Sequence, residues 1–349
     1  MSGRPYTLEE VERQTATLPA DLPSLVEAAR TGAGNLVGRL GPVRRVVLLG
    51  SGDSLYAAQS SRNAFTDGGI ECLAMSATEF LYEFPAPPEP ARRTAVVGVS
   101  ASGGNPTVVA AVSRARAAGH PTVAVTGAAS SPLAGAAAAA VVADPGACAP
   151  SPGIRTHQAG LVSLLYLAHA ARAAREGPRA GGPFDTAAVV RAQVRTLALV
   201  ENPAAAAARL LAAAPVVSVV APAGALGTAR YLAAKFSETA GVPAAASCPE
   251  EWWHVHRFGH DPAHPVLVLL SPGPGRAAAL ETAARMAARR RLVVLAGQRD
   301  EAARAVASVF VPLADGVAQA ARPLVDAVAA GPLALGVARA LGRLPFARQ

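Results

Sequence analysis

Residues 46–59 read VVLLGSGDSLYAAQ: an apolar run of strand formers, a small polar turn holding two glycines, and a stretch that resumes as a helix. This is the strand–turn–helix step of a parallel sheet, whose strands are apolar on both sides because helices cover both faces. The step recurs in AVVGVS from Ala95, TVAVTG from Thr122 and AAVV ending at Val142. It recurs again in VVSVV from Val216, VLVLLS from Val266, LVVLAG from Leu292 and SVFVPL from Ser308. Each member of the second series follows its counterpart by about 170 residues, and self-similarity at a fixed spacing marks a duplicated unit. The expected fold is therefore α/β, two tandem doubly wound, flavodoxin-like domains with parallel sheets. An N-terminal helical segment over residues 1–35 precedes a first domain over 36–180 and a second over 195–345. The Gly- and Pro-rich stretch REGPRAGGPFD, Arg175 to Asp185, separates the two.

With 349 residues, half of them hydrophobic, the chain has material for two cores. Ala, Gly, Pro and Arg are abundant, as in a GC-rich coding bias, so residues that escape the bias are informative. One of them is Lys235, the single lysine among 32 basic residues. The formal charge is +8, but the arginines lie among alanines, as in SRARAAGH and RMAARRRL, rather than between aromatics. That pattern points away from nucleic acid and suits a phosphorylated small molecule. Cys72, Cys148 and Cys248 are far apart and form no CxxC, which argues against a structural zinc site or a secreted disulfide scaffold. The start, MSGRPYTLEEVERQ, is polar and carries acids, unlike a signal peptide. Apolar runs such as AGAAAAAVVA fall short of a membrane span. A cytoplasmic protein with no membrane partner is expected.

In open α/β sheets the ligand sits beyond the carboxyl ends of the strands, where loops enter helix N-termini. After the first strand, Ser51, Gly52, Asp53 and Ser54 offer oxygens around a permissive backbone. After AVVGVS, Ser100, Ala101, Ser102 and Asn105 surround two glycines where a helix begins. Such a turn holds an anion on backbone N–H groups and hydroxyls; equally, Ser102 or Asn105 caps the helix. The corresponding loops of the second half, LLSPGPGRAA and VVAPAGALGTAR, have lost most of their hydroxyls.

The second half carries polar chemistry of another kind. On the helix LGTARYLAAKFSETA, Lys235 and Glu238 share a face, with Tyr231 one turn earlier. Then CPEEWWHVHRFGHDPAH brings Glu250, Glu251, two tryptophans and four histidines together. One reading is metal ligation by His254, His256, His260 and His264. The other is proton transfer by carboxylate and imidazole, with tryptophans excluding water.

On these residues the chain resembles the SIS (sugar isomerase) family, in particular its tandem members. These include the isomerase module of glucosamine-6-phosphate synthase and related phosphosugar deglycases and deaminases. The likeness runs from TLEEVERQ, similar to an entry helix, to about residue 340. GSGDS resembles the first sugar loop and SASGGN the phosphate loop. KFSE matches a lysine and a catalytic glutamate, and without a gap Glu251 and His254 fall on the family's acid and histidine. The resemblance implies an aldose–ketose isomerase, or an amino-sugar-phosphate deaminase or deglycase, working through an enediol or enamine. Glu238 is then the base, His254 assists ring opening, and Lys235 contacts the sugar or orients Glu238. Arg155, in GIRTHQAG, stands where a lysine is usual. The ligand implied is a phosphorylated sugar or amino sugar, the assembly a homodimer with shared active sites, and neither cofactor nor metal is required. Asp53 in place of a hydroxyl residue, Asn105 of a threonine and Val255 of a glycine depart from the pattern. So do the absence of a lysine in LGRLPFARQ and of a preceding glutaminase domain, which speaks against glutamine-nitrogen transfer. A non-catalytic sugar-phosphate sensor and a biosynthetic enzyme for an unusual substrate are the alternatives.

Overall fold

The computed structural model describes residues 5–36, 43–83, 93–146, 149–177 and 181–347. The first sheet holds β1 (Arg45–Gly50), β2 (Glu71–Ser76), β3 (Thr94–Val99), β4 (Thr122–Thr126) and β5 (Ala139–Val142), all parallel, in the order β2-β1-β3-β4-β5. The second holds β6 (Val217–Val220), β7 (Ala244–Ser247), β8 (Val266–Leu270), β9 (Leu292–Gly297) and β10 (Val309–Leu313), also parallel, in the order β10-β9-β8-β6-β7. Read from the other edge, this is the same order, so the repeat extends to topology: both sheets are doubly wound in the flavodoxin-like manner.

The helices are α1 (Leu8–Gly34), α2 (Asp53–Thr66), α3 (Ala77–Tyr82), α4 (Pro106–Ala117), α5 (Pro132–Ala136), α6 (Ile154–Glu176), α7 (Thr186–Ala212), α8 (Leu226–Ala240), α9 (Arg276–Ala287), α10 (Glu301–Val306) and α11 (Ala330–Leu341), with short helical turns between them. The stretch from Arg175 to Asp185 joins α6 to α7, and three of its residues, 178–180, lie outside the described ones. The sequence pattern misses β2 and β7, which both pair beside the first strand of their sheet at its edge. β2 is ECLAMS, and β7 is AAAS, without a β-branched residue. Edge strands are half-covered and need no continuous apolar run, so periodicity carries little signal there.

Two compact units result, one of Ala20–Ala147 with Arg155–Thr186 and one of Met1–Pro19, Cys148–Ile154 and Ala187–Gln349. In the first-sheet unit Val47, Leu49 and Val96 pack on Val108, Val112 and Leu133. Gly98 is required there, because a Cβ would lie 2.5 Å from Val112 Cγ2. In the second-sheet unit Val266, Val268 and Val294 pack on Trp252, Ala283 and Met286. The two parts of α1 serve different cores: Val11 and Leu18 sit with Ile154, Val328 and Leu335, and Leu25 with Ala143 and Ala159. Cys72 is buried, which pushes its thiol up to about 12, so it stays protonated. Cys148 lies outside the described residues.

One apolar run is longer than the sequence reading allowed. Gln319–Leu341 is long and apolar enough to cross a membrane, but 72% of its most apolar window is buried inside the fold, as a core segment is. Its start carries a buried ion pair, Arg322 Nε to Asp326 Oδ1 at 2.6 Å. Desolvation pushes the Asp326 carboxyl up, and Arg322 and the Ser271 hydroxyl, which donates to Oδ2 at 2.6 Å, pull it down. Arg322→Met strands the carboxylate in the core, and a loss of roughly 3–5 kcal/mol is expected from urea unfolding. Arg322→Met with Asp326→Leu should recover most of that loss; a double variant as unstable as the single would show that the charge is not the cause.

Candidate active site

The first-sheet unit presents its loops at the carboxyl edge of the sheet. β1 ends at Gly50, where a Cβ would lie 2.7 Å from the Leu55 nitrogen, so only glycine lets the chain turn directly into α2. Ser51 and Gly52 are exposed, and Asp53 and Ser54 are half-buried in the first turn of α2, where the helix dipole favours a carboxylate.

After β3, Ser100 is buried while Ala101 and Ser102 are exposed. The turn is pinned from below. The Gly127 N–H donates to the Ala101 carbonyl at 2.9 Å, the Leu133 N–H to that of Gly103 at 2.9 Å, and the Gly103 N–H to that of Ser100 at 3.0 Å. Gly103 has φ of 64°, and a Cβ there would lie 2.2 Å from Ser131 Oγ. Asn105 is a helix cap, its Oδ1 accepting from the N–H groups of Thr107 and Val108, and Ser102 Oγ accepts from the Gly104 N–H. Among the described residues, no protein acceptor takes the N–H groups of Ala101, Ser102 and Asn105. Three donors at an exposed, glycine-fixed turn ahead of a helix form a nest suited to an anion.

Beneath these loops a cavity of about 30 Å³, room for one water molecule, is lined by Asp53, Ser54, Thr126, Gly127, Thr156 and His157. His157 is a site residue that the sequence reading passed over. It is buried, its Nδ1 lies 3.3 Å from the Asp53 carbonyl, and it belongs to the same GIRTHQAG stretch as Arg155. Arg155 itself ion-pairs with Asp21 of α1 at 2.7 Å.

In the second-sheet unit the Lys235 side chain is wholly buried, 2.5 Å from Glu238 Oε2 and 4.9 Å from the centre of the Tyr231 ring. The Glu238 carboxylate is 30% exposed, so one end of the pair is dry and the other reaches solvent. A compact ammonium on a flexible stem suits such a place better than a planar guanidinium. Glu251 and His254 lie further along, on a segment that runs through an α-helical turn at Pro249–Glu251, a π-helical turn at Trp252–His256 and another α-helical turn at Arg257–Gly259. π-turns are rare and frequent at functional sites. Trp252 anchors the segment in the core, while Glu251, His254, Val255, His256 and Phe258 face solvent. Glu251 Oε1 lies 4.0 Å from His256 Nε2.

His260 answers to a different need. Arg290 places Nη1 2.9 Å from its Nδ1, and burial, then Arg290, holds the imidazole below its ordinary pKa. Neutral His260 accepts from Arg290, which stacks over Trp252 at 5.1 Å. Among the described residues no three His, Cys, Asp or Glu side chains are grouped as metal ligands. In the loop after β8, the second sheet's equivalent of the anion turn, the Ser271 hydroxyl is spent on Asp326.

Residues 40–170 match the family model of the SIS domain. No curated protein matches the chain by sequence. Among solved structures, the C-terminal domain of glucosamine-fructose-6-phosphate aminotransferase from Francisella tularensis superposes with a TM-score of 0.82 at 14% identity, covering 96% of this chain and 97% of that one. Tagatose-6-phosphate ketose/aldose isomerase from Escherichia coli does so with a TM-score of 0.73 at 18% identity, covering 96% and 94%. At these identities the likeness establishes the fold, which is that of tandem SIS domains.

The buried Lys235 gives a direct check. Lys235→Arg should overpack its site and lower stability by about 1–3 kcal/mol, read from the urea midpoint; an unchanged midpoint would show that the pocket has room for a guanidinium.

Proposed function

Residues 40–170 are an SIS domain, and from that premise we propose that the chain is a phosphosugar-processing enzyme, an aldose–ketose isomerase or an amino-sugar-phosphate deaminase or deglycase. The observation that carries the reading is the turn Ser100–Asn105, whose N–H groups at Ala101, Ser102 and Asn105 and Ser102 hydroxyl suit a phosphate dianion. Ser51, Gly52, Asp53 and Ser54 are assigned to the sugar hydroxyls or an amino group. Arg155, paired with Asp21, is assigned to the rim of the sugar site.

In this reading Glu238 is the base. Its carboxylate removes the proton from C2 of the open-chain aldose phosphate. The C–H electron pair becomes the C1–C2 double bond, and O1 takes up a proton to complete the enediol. Loss of the O2 proton then forms the C2 carbonyl as C1 receives the proton held by Glu238. With nitrogen at C2 the same transfer passes through an enamine, and hydrolysis of the resulting imine releases the nitrogen. Lys235 holds the carboxylate in place through its 2.5 Å contact. His254 is assigned to ring opening, passing a proton to the ring oxygen as O1 loses one, with Glu251 beside it on the same segment. Val255 and Phe258, 61% and 73% exposed, follow His254, and two large apolar side chains left in solvent beside it support a homodimer with shared sites.

The test is a panel of aldose, ketose and amino-sugar 6-phosphates incubated in deuterium oxide, with label followed at C2 by NMR. Glu238→Gln should reduce exchange by a factor of about 10² or more while sugar-phosphate binding persists; unchanged exchange rejects the assignment. A parent protein that binds a member of the panel and exchanges none would be a sensor. Ser100→Ala combined with Ser102→Ala should weaken a phosphorylated sugar far more than its unphosphorylated analogue, and equal losses would remove the phosphate site.

A further inference from the structure

The helix that carries Lys235 and Glu238 ends abruptly, and how its end is closed bears on the carboxylate. α8 stops at Gly241, which takes the left-handed conformation, φ 59° and ψ 28°. The Gly241 N–H returns to the Ser237 carbonyl at 3.1 Å, the single-bond closure of a helix at a left-handed glycine, and the Val242 N–H reaches that of Phe236 at 3.3 Å. The carbonyls of a final helical turn have no later N–H groups within the helix to take them.

The chain's last described residues supply the missing donors. The Phe346 N–H donates to the Glu238 carbonyl at 2.8 Å. Arg343 Nη1 donates to the carbonyls of Ala240 and Gly241, each at 3.1 Å. The same guanidinium sets a cation at the negative end of the helix dipole. This strap is held under constraint. Phe346 has φ of 55°, the one non-glycine residue at positive φ among those described, and such a conformation persists only where its surroundings enforce it. Here the Phe346 ring meets Tyr6 edge to face at 4.6 Å, and Pro345 is buried.

We infer that the C-terminal strap Arg343–Phe346 is a positioning element for Glu238. It fixes the backbone of the turn from which the carboxylate projects. Lys235 restrains the side chain from one side through Oε2, and Phe346 restrains the main chain of the same residue through its carbonyl. The inference rests on the proposed role of Glu238 as base. A proton transfer of this kind loses rate steeply with small misplacement of the base, so the strap should act on turnover and not on capture of the phosphate.

The experiment compares the full chain with Arg343→Ala, Arg343→Lys and a chain ending at Gly342, using C2 deuterium exchange on the sugar 6-phosphate that the parent turns over fastest. Arg343→Ala and the shortened chain should lose about ten- to hundredfold in kcat with KM within twofold of the parent. Arg343→Lys, which keeps a cationic donor, should recover most of the loss. Unaltered kcat in both the shortened chain and Arg343→Ala overturns the inference, as does an equal fall without recovery by lysine. The shortened chain is scored only if its unfolding transition remains cooperative; otherwise the two Arg343 substitutions decide. A parent protein with no C2 exchange on any sugar phosphate sinks the proposed function and this inference together, whereas an active parent with an indifferent strap sinks this inference alone.

Discussion

Parallel pairing is the constraint from which the rest of the molecule follows. A parallel strand cannot return to its neighbour by a tight turn, so every connection crosses a face of the sheet as a helix, and every strand points its carboxyl end to the same edge. Both sheets obey this with the same strand order. Loops and helix N-termini therefore gather at one edge of each sheet without any residue being selected to bring them there. In the first-sheet unit, Gly50 and Gly103 shape that edge, one by close approach to Leu55 and the other by its φ of 64° against Ser131. In the second-sheet unit the equivalent edge has been turned to internal use, since Ser271 serves Asp326 and Arg322 is drawn into the core beside it. Duplication supplied two equivalent edges, and the hydroxyls of one now serve packing.

The central strands were legible because they are buried on both faces and so consist mostly of Val, Leu and small residues. Glycines at strand ends marked the loops, and the spacing of Lys235 and Glu238 on one helix gave their contact, at 2.5 Å in the structure. What escaped has a common cause. β2 and β7 are edge strands whose ECLAMS and AAAS stretches carry no period. His157, Asp21 and the Phe346–Glu238 bond join residues far apart in sequence, and no local pattern announces a partner a hundred residues away. Asn105 was legible only as an ambiguity between cap and ligand, and the structure uses its side chain as a cap.

The lysine that evades the arginine bias has a physical explanation in its burial. A side chain with no exposure must pack as a hydrocarbon stem and end in a compact charge that meets a carboxylate and a ring. Tyr231 and Glu238 provide both, from the turns before and after on the same helix. A guanidinium would bring five donors into a place that offers partners for far fewer. The dry end of the pair holds the amine, and the wetter end leaves the carboxylate reachable, which is the asymmetry that a group exchanging protons with a ligand needs.

The strap at the end of α8 also bears on biosynthesis. Chains fold from the N-terminus as they are made, yet the turn containing Glu238 receives donors from Arg343 and Phe346, about a hundred residues further along. The ring that steadies Phe346 belongs to Tyr6, which precedes both sheets in sequence. A nascent chain can complete the first sheet and most of the second while this turn stays open. The acid-bearing helix is thus closed only after Arg343 and Phe346 have been made, behind the last strand of either sheet.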